Sequence, residues 1–278
     1  MTLRLAGVAH AYALEPVLEA IALELPPGRI LALVGPSGCG KTTLLHLCAG
    51  LLTLQTGLLH NGFVSPAVMF QQPRLLPWKT TRDNIGLGLE AAGLPRAEWR
   101  KRAEAVGHAV DLDAAALDQF PHQLSGGMQS RAALARALVL EPDLLLMDEP
   151  FSALDIGLKA QLHRLLLDHQ ARRQVAILMI THDLMEAVRL ADTVLVMASE
   201  PGRIVHRFEL PVPAQSRDDA FAHRTTAEFL QVPVVRASFG LDTRVAPVRP
   251  ANATQVAVGA AAIACDTARP IERRGLAC

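Results

Sequence analysis

The chain has 278 residues, enough for one large core or for one core with a small appendage, and too few for a multi-domain machine. Its 27 basic residues balance 27 acidic ones, which argues against a protein that wraps nucleic acid. Half of the residues are hydrophobic, yet no apolar run approaches the roughly 18 residues needed to span a bilayer, and Met1 to His10 lacks the basic segment and long apolar core of a secretory signal.

These limits describe a cytosolic protein, held at a membrane by a partner if it acts there. Four cysteines, Cys39, Cys48, Cys265 and Cys278, show neither paired metal-ligand spacing nor a disulfide framework and read as reduced thiols.

Residues 2 to 25 alternate apolar and polar, as in Ile21-Ala22-Leu23-Glu24-Leu25, and Pro26-Pro27-Gly28 makes a turn. That pattern predicts an antiparallel β layer leading into a parallel sheet. Tyr12, the only tyrosine, could stack on an adenine ring or simply pack. Ile30 to Val34 is apolar without alternation, which suits a parallel strand buried on both faces.

Gly35-Pro36-Ser37-Gly38-Cys39-Gly40-Lys41-Thr42 follows, and it fits the phosphate-loop pattern G-x-x-x-x-G-K-S/T at every fixed position. Small glycines let backbone N–H groups close around phosphate oxygens, and the N-terminus of the next helix directs a partial positive charge at the same anion. Lys41 would supply a full charge to the β- and γ-phosphates and Thr42 a hydroxyl to Mg2+. The helix is expected from Lys41 to Leu52, with Leu44, Leu45, Leu47 and Leu51 on its apolar face.

After Gly57 comes a short connection, Leu58 to Pro66, and Ala67 to Phe70 reads as the next strand. It ends in Gln71-Gln72-Pro73-Arg74-Leu75-Leu76-Pro77-Trp78, where two prolines so close to a tryptophan expected at the surface rule out a regular element. Residues 81 to 119 turn helical, with Ile85, Leu87, Leu89, Val106, Val110 and Leu112 as apolar positions. Glu98, Arg100, Lys101, Arg102 and Glu104 read as a solvated face.

Leu124-Ser125-Gly126-Gly127-Met128 opens another helix, and Ser125 followed by two glycines at its start is a second ready-made anion site, though alone it is an ordinary helix cap. Leu144 to Met147 is a buried strand ending in Asp148 and Glu149, on the sheet edge where ligands bind in open α/β folds. There Asp148 could hold Mg2+ and Glu149 could take a proton from attacking water. A helix from Ile156 to Arg173 precedes the strand 175–180, which ends in Thr181-His182-Asp183; His182 could contact a γ-phosphate or orient water. A last helix and strand, Leu184 to Leu190 and Thr193 to Met197, complete alternating βα units. Beyond Val205 the pattern weakens to one short helix near Phe221 to Leu230. From Ala237 onward the lack of period predicts disorder or loose packing.

Taken together, the phosphate loop, Gln71, the Leu124-Ser125-Gly126-Gly127 signature, the strand ending in Asp148-Glu149, Ser152-Ala153-Leu154-Asp155 and Thr181-His182-Asp183 resemble, in order and spacing, the nucleotide-binding subunit of an ABC transporter. The resemblance covers residues 1 to 205. It implies an α/β fold: a phosphate-loop NTPase core with a mostly parallel sheet and flanking helices, an N-terminal antiparallel β layer and a helical insertion subdomain over residues 72–140. Residues 206–278 would be a C-terminal extension, partly disordered.

Further implications follow residue by residue. ATP would be bound by Tyr12, by Gly35, Pro36, Ser37, Gly38, Cys39, Gly40, Lys41, Thr42 and Thr43, by Asp155 as a dimer-interface residue, and, from the opposite subunit, by Ser125, Gly126 and Gly127. Thr42, Gln71 and Asp148 would attend Mg2+, with Glu149, His182 and Gln71 as the catalytic set. The resemblance also implies a homodimer of ATP-binding subunits on the cytoplasmic face of the membrane. Transmembrane permease subunits and, indirectly, an extracytoplasmic solute-binding protein would be its partners, without nucleic acid. Phe70 to Trp78 and Glu200-Pro201-Gly202-Arg203-Ile204 resemble the nitrate, sulfonate and taurine importer group. A soluble ABC protein of DNA repair or translation would bring a coiled coil or a second nucleotide domain, and a module that only binds nucleotide would not need Glu149 and His182.

Overall fold

A computed structural model describes residues 1–241 of the chain. The first two strands, β1 (Leu3–Tyr12) and β2 (Glu15–Leu25), form an antiparallel hairpin. Their alternating burial, Leu3, Leu5 and Val8 inward against exposed neighbours, is what a sheet with one wet face requires. β3 (Ile30–Val34) is buried at every position and leads through the phosphate loop into α1 (Lys41–Cys48). The helix ends four residues before Leu52, because Gly50 takes a positive φ and turns the chain.

The expected short connection after Gly57 is corrected here. Thr56–Asn61 is a strand, β4, paired antiparallel with β1. Exposed Leu58 on its outer face broke the alternation by which such a strand is recognised. β5 (Pro66–Met69) enters the second sheet. The helical insertion comprises α2 (Thr81–Ile85), α3 (Leu87–Ala91), α4 (Arg96–Ala109), α5 (Ala114–Asp118) and α6 (Gly126–Leu138). The core then resumes with β6 (Leu144–Asp148), α7 (Ile156–Arg173), β7 (Ala176–Thr181), α8 (Leu184–Leu190) and β8 (Thr193–Ala198).

One sheet runs β2-β1-β4 and is antiparallel. The other has the order β5-β6-β7-β3-β8 with all neighbours parallel, and gains an antiparallel edge from β9 (Arg203–Glu209). The parallel strands divide their side chains between two cores. Leu31, Leu33, Leu144, Leu146, Leu178 and Ile180 pack with α1 and the antiparallel layer. Ile30, Ala32, Val34, Leu145, Met147, Ile177 and Met179 pack with the helices on the other face. This pins the C-terminal ends of β3, β6 and β7 at one edge, where the site lies.

The segment after Val205 is more ordered than its pattern suggests. The boundary expected at 205 falls inside β9, whose pairing with β8 makes it part of the central sheet. Asp218 caps α9 (Asp219–Phe229), Phe229 stacks on Phe208, and α10 (Pro233–Ser238) buries Val235 in the main core. Arg217 donates from Nη1 to the carbonyls of Val188 and Ala191 at 2.7 Å, tying this segment to the end of α8. The expectation of disorder from Ala237 onward concerns mostly residues outside the described ones; Ala237 and Ser238 themselves close α10.

Among the described residues no helix is long and apolar enough to cross a membrane. Cys39 and Cys48 are buried free thiols, and burial pushes the Cys48 thiol up to about 12, which leaves it protonated and inert. Cys265 and Cys278 lie outside the described residues.

Candidate active site

The phosphate loop bends at positions only glycine takes without strain. Gly40 has φ +88° at the N-cap of α1, and an added Cβ would strike Leu18 and Val17 of β2. Its backbone therefore passes directly under the β2 strand, with no room for any other residue. The Lys41 side chain is only 7% exposed. Its Nζ donates at 2.8 Å to the carbonyls of Gly35 and Pro36.

Thr42 Oγ1 donates to Asp148 Oδ2 at 2.8 Å, joining the start of α1 to the end of β6. Asp148 is 3% exposed, and burial raises its pKa above the ordinary carboxylate value, a shift countered by the Thr42 hydrogen bond and reinforced by Glu149. Glu149 stands in the left-handed region at φ +47°, a conformation that costs a non-glycine residue on the order of 1 kcal/mol or more and that collects at functional sites. The turn aims its carboxylate between two partners. Gln71 Nε2 donates to Oε2 at 3.3 Å, and His182 Nδ1 lies 3.2 Å from Oε1.

These groups surround a cleft of about 260 Å3 lined by Ser37, Gly38, Gly40, Lys41, Thr42 and Thr43 on one side and Gln71, Asp148 and Glu149 on the other. Gly35, Pro36 and Cys39 do not line it. Gly35 is pressed against the Met197 carbonyl, Cys39 is buried behind the loop, and Pro36 is half-buried. His182 reaches the cleft only through Glu149.

Tyr12, Ser125, Gly126, Gly127 and Asp155 are not brought to this cleft. Tyr12 is 49% exposed at the end of β1, edge-on to His10. Ser125 caps α6 by accepting from Met128 N, and Asp155 caps α7 by accepting from Leu158 N. Gly127 lies beside Ala153 and Leu154, so the two caps are neighbours. Ser125, Gly126 and Asp155 are exposed.

Three further contributors carry little sequence signal. Val17 lines the cleft as an ordinary strand valine. Asn84, fully buried, accepts from Leu76 N and donates to the carbonyls of Leu76, Lys79 and Thr80, fixing the loop that presents Trp78. Arg136 of α6 donates to the carbonyls of Pro73 and Arg74 at 2.7 and 2.8 Å and so ties α6 to the loop after Gln71. A polar residue inside an apolar helical pattern was the only available hint for Asn84.

The donor set suits Mg2+. A hydroxyl and a carboxylate meet at 2.8 Å beside a phosphate loop, whereas no group of three or more His, Cys, Asp or Glu able to hold a metal occurs among the described residues. A small hard cation held by one or two protein oxygens and completed by phosphates fits that pattern.

Residues 18–152 match the ABC transporter family. The chain is 46% identical over 222 residues to an aliphatic sulfonates import ATP-binding protein of Mycobacterium avium, covering 79% of this chain and 86% of the relative. It is 42% identical over 225 residues to a taurine import ATP-binding protein of Chromobacterium violaceum, covering 78% and 86%. Among solved structures it resembles a dimeric bacterial ABC transporter cassette, with TM-score 0.71, 26% identity and coverage of 76% of this chain and 99% of that one. The same cassette in a post-hydrolysis state, dimeric and bound to ADP and Pi, matches with TM-score 0.70 and 25% identity over 76% and 99%.

Proposed function

The chain belongs to the ABC transporter family, and from that premise we propose that two copies of it clasp ATP between them and drive membrane-spanning partners that import a small organic sulfonate. It is an importer ATPase that works on ATP with Mg2+. The observation that carries the dimeric reading is the division of the expected ATP ligands. The phosphate loop, Asp148 and Glu149 share one cleft, while the exposed caps Ser125 and Asp155 sit together outside it. An anion-directed helix start left facing solvent, with Asp155 beside it, makes sense when it serves the nucleotide of a neighbouring copy.

Within one site, Lys41 would exchange the Gly35 and Pro36 carbonyls for phosphate oxygens. Thr42 and Asp148 would hold Mg2+, which when bound neutralises charge on the phosphates. Glu149 would accept the proton of the attacking water, held at that task by its hydrogen bond from Gln71 and its contact with His182. Because Gln71 opens the Trp78 loop and also touches Glu149, movement of a membrane partner on that loop would reach the base directly.

The sulfonate or taurine assignment rests on the named cargo of the relatives and on the partners they imply: permease subunits at the cytoplasmic face of the membrane and an extracytoplasmic solute-binding protein. Disrupting the gene in its host should abolish growth on taurine or an alkanesulfonate as sole sulfur source while leaving growth on sulfate intact. Wild type should restore it and Glu149→Gln should not. Undiminished growth on these sulfonates would overturn the solute assignment.

A further inference from the structure

A groove of about 870 Å3 opens between α4 and α7 under the last turn of α6, and it shares no residue with the nucleotide cleft. Its floor is apolar: Val110, Leu138 and Val139 are buried there, with Val106 and Leu165 partly covered. Its rim is cationic, with Arg102, Arg164, Arg172 and Arg173 set against only two carboxylates, Glu141 and Asp168. Arg102 is bound to Glu98 and Arg173 to Glu141, at 2.6 and 2.7 Å. Arg164 and Arg172 form no ion pair with any described residue, although both belong to the groove.

His169, one helical turn before Arg173, lines the same groove, and its buried Nε2 has no hydrogen-bond partner. Burial, and after it the Arg173 charge, hold its pKa below the ordinary histidine value, so at neutral pH the ring offers an uncharged polar atom. A buried polar atom without a partner costs free energy until something satisfies it.

We propose that this groove is a second binding site, for a small organic anion with an aliphatic chain. The chain lies on Val106, Val110 and Val139, and the head group takes Arg164 and Arg172, whose planar guanidinium forks match sulfonate or carboxylate oxygens. An inorganic anion would leave the floor wet, and an uncharged alkyl chain would leave both guanidinium charges without an ionic partner. The inference does not depend on which solute is imported.

The test uses the full chain with saturating Mg-ADP, so that the phosphate loop is occupied, and titrates it calorimetrically with hexanesulfonate, hexanoate, hexanol and sulfate. Hexanesulfonate and hexanoate should bind, with hexanol and sulfate at least tenfold weaker. Affinity should rise about threefold per methylene from butane- to octanesulfonate as apolar area is covered. The exposed pair R164Q/R172Q should weaken hexanesulfonate by roughly tenfold or more without altering ADP affinity, and Val106→Ser should flatten the chain-length dependence. Sulfate binding as tightly as hexanesulfonate, or unchanged affinity in R164Q/R172Q, would overturn the proposal.

Discussion

The α-carbon of Gly202 lies against the carbonyl oxygen of Cys39 so closely that a methyl group placed on it would penetrate the phosphate loop. Gly202 also exchanges backbone hydrogen bonds with β2, donating to Val17 O at 2.9 Å and accepting from Glu19 N at 3.0 Å. It thus holds the loop from behind. Gly202→Ala should cost about 1–3 kcal/mol of stability through overpacking and should also weaken ATP binding. Urea unfolding and a nucleotide titration together check this; an unchanged ATP affinity would show that the loop does not depend on its support.

Lys41 and Glu149 should separate binding from chemistry. In the proposed mechanism the Lys41 charge would act on ground-state phosphates, whereas Glu149 would be needed as a proton is given up in the transition state. Lys41→Ala should weaken ATP binding tenfold or more, on the order expected for losing a charge-assisted contact. Glu149→Gln should preserve binding and lower kcat by about 10²- to 10⁴-fold. Wild-type turnover in Glu149→Gln would remove Glu149 as the base.

Trp78 is 71% exposed on a loop anchored from within by Asn84 and tied to α6 at Pro73 and Arg74 by Arg136. A large apolar ring on a held loop is the kind of anchor that carries interface energy, about 2 kcal/mol or more on truncation. Trp78→Ala should spare hydrolysis by the isolated subunit and impair co-purification with its membrane partners. Asn84→Ala should do the same while also lowering the melting temperature, because four side-chain hydrogen bonds to the loop are lost and Leu76 N and Lys79 O are left without a partner.

Val235 has no exposed surface although it lies beyond the last periodic stretch of the sequence. Val235→Ala should therefore destabilise the fold by about 2 kcal/mol, measured by denaturant unfolding. A loss under half a kcal/mol would show that α10 packs loosely.

The parts legible in the sequence are those whose chemistry is local. The loop from Gly35 to Thr42, the buried strand before it and the helix cap Ser125 each announce themselves within eight residues. What stayed hidden depends on partners distant in the chain. β4 was missed because Leu58 faces outward, and β9 and α10 because only β8 and the core give their mixed side chains a place to go. Gly202 resembles any turn glycine until Cys39 is placed beneath it. Asn84 reads as helix filler until the carbonyls of Leu76, Lys79 and Thr80 converge on it.

The placement of Ser125 makes the sharpest demand on the architecture. Its hydroxyl caps α6 next to the loop that ends in Asp155, and neither residue lines the cleft formed by Lys41, Thr42 and Asp148. If these caps serve the nucleotide of a second copy, hydrolysis depends on association, and the rate should rise more steeply than linearly with protein concentration where the monomer dominates. Mixing Ser125→Arg with Lys41→Ala tests the geometry itself. The mixed pair contains one site with an intact phosphate loop facing an intact Ser125, so nucleotide binding at about one site per mixed pair should return even if turnover needs both. Each variant alone should pair with itself and lack such a site. Constant hydrolysis per subunit down to concentrations where sedimentation shows only monomer would leave Ser125 as no more than a helix cap.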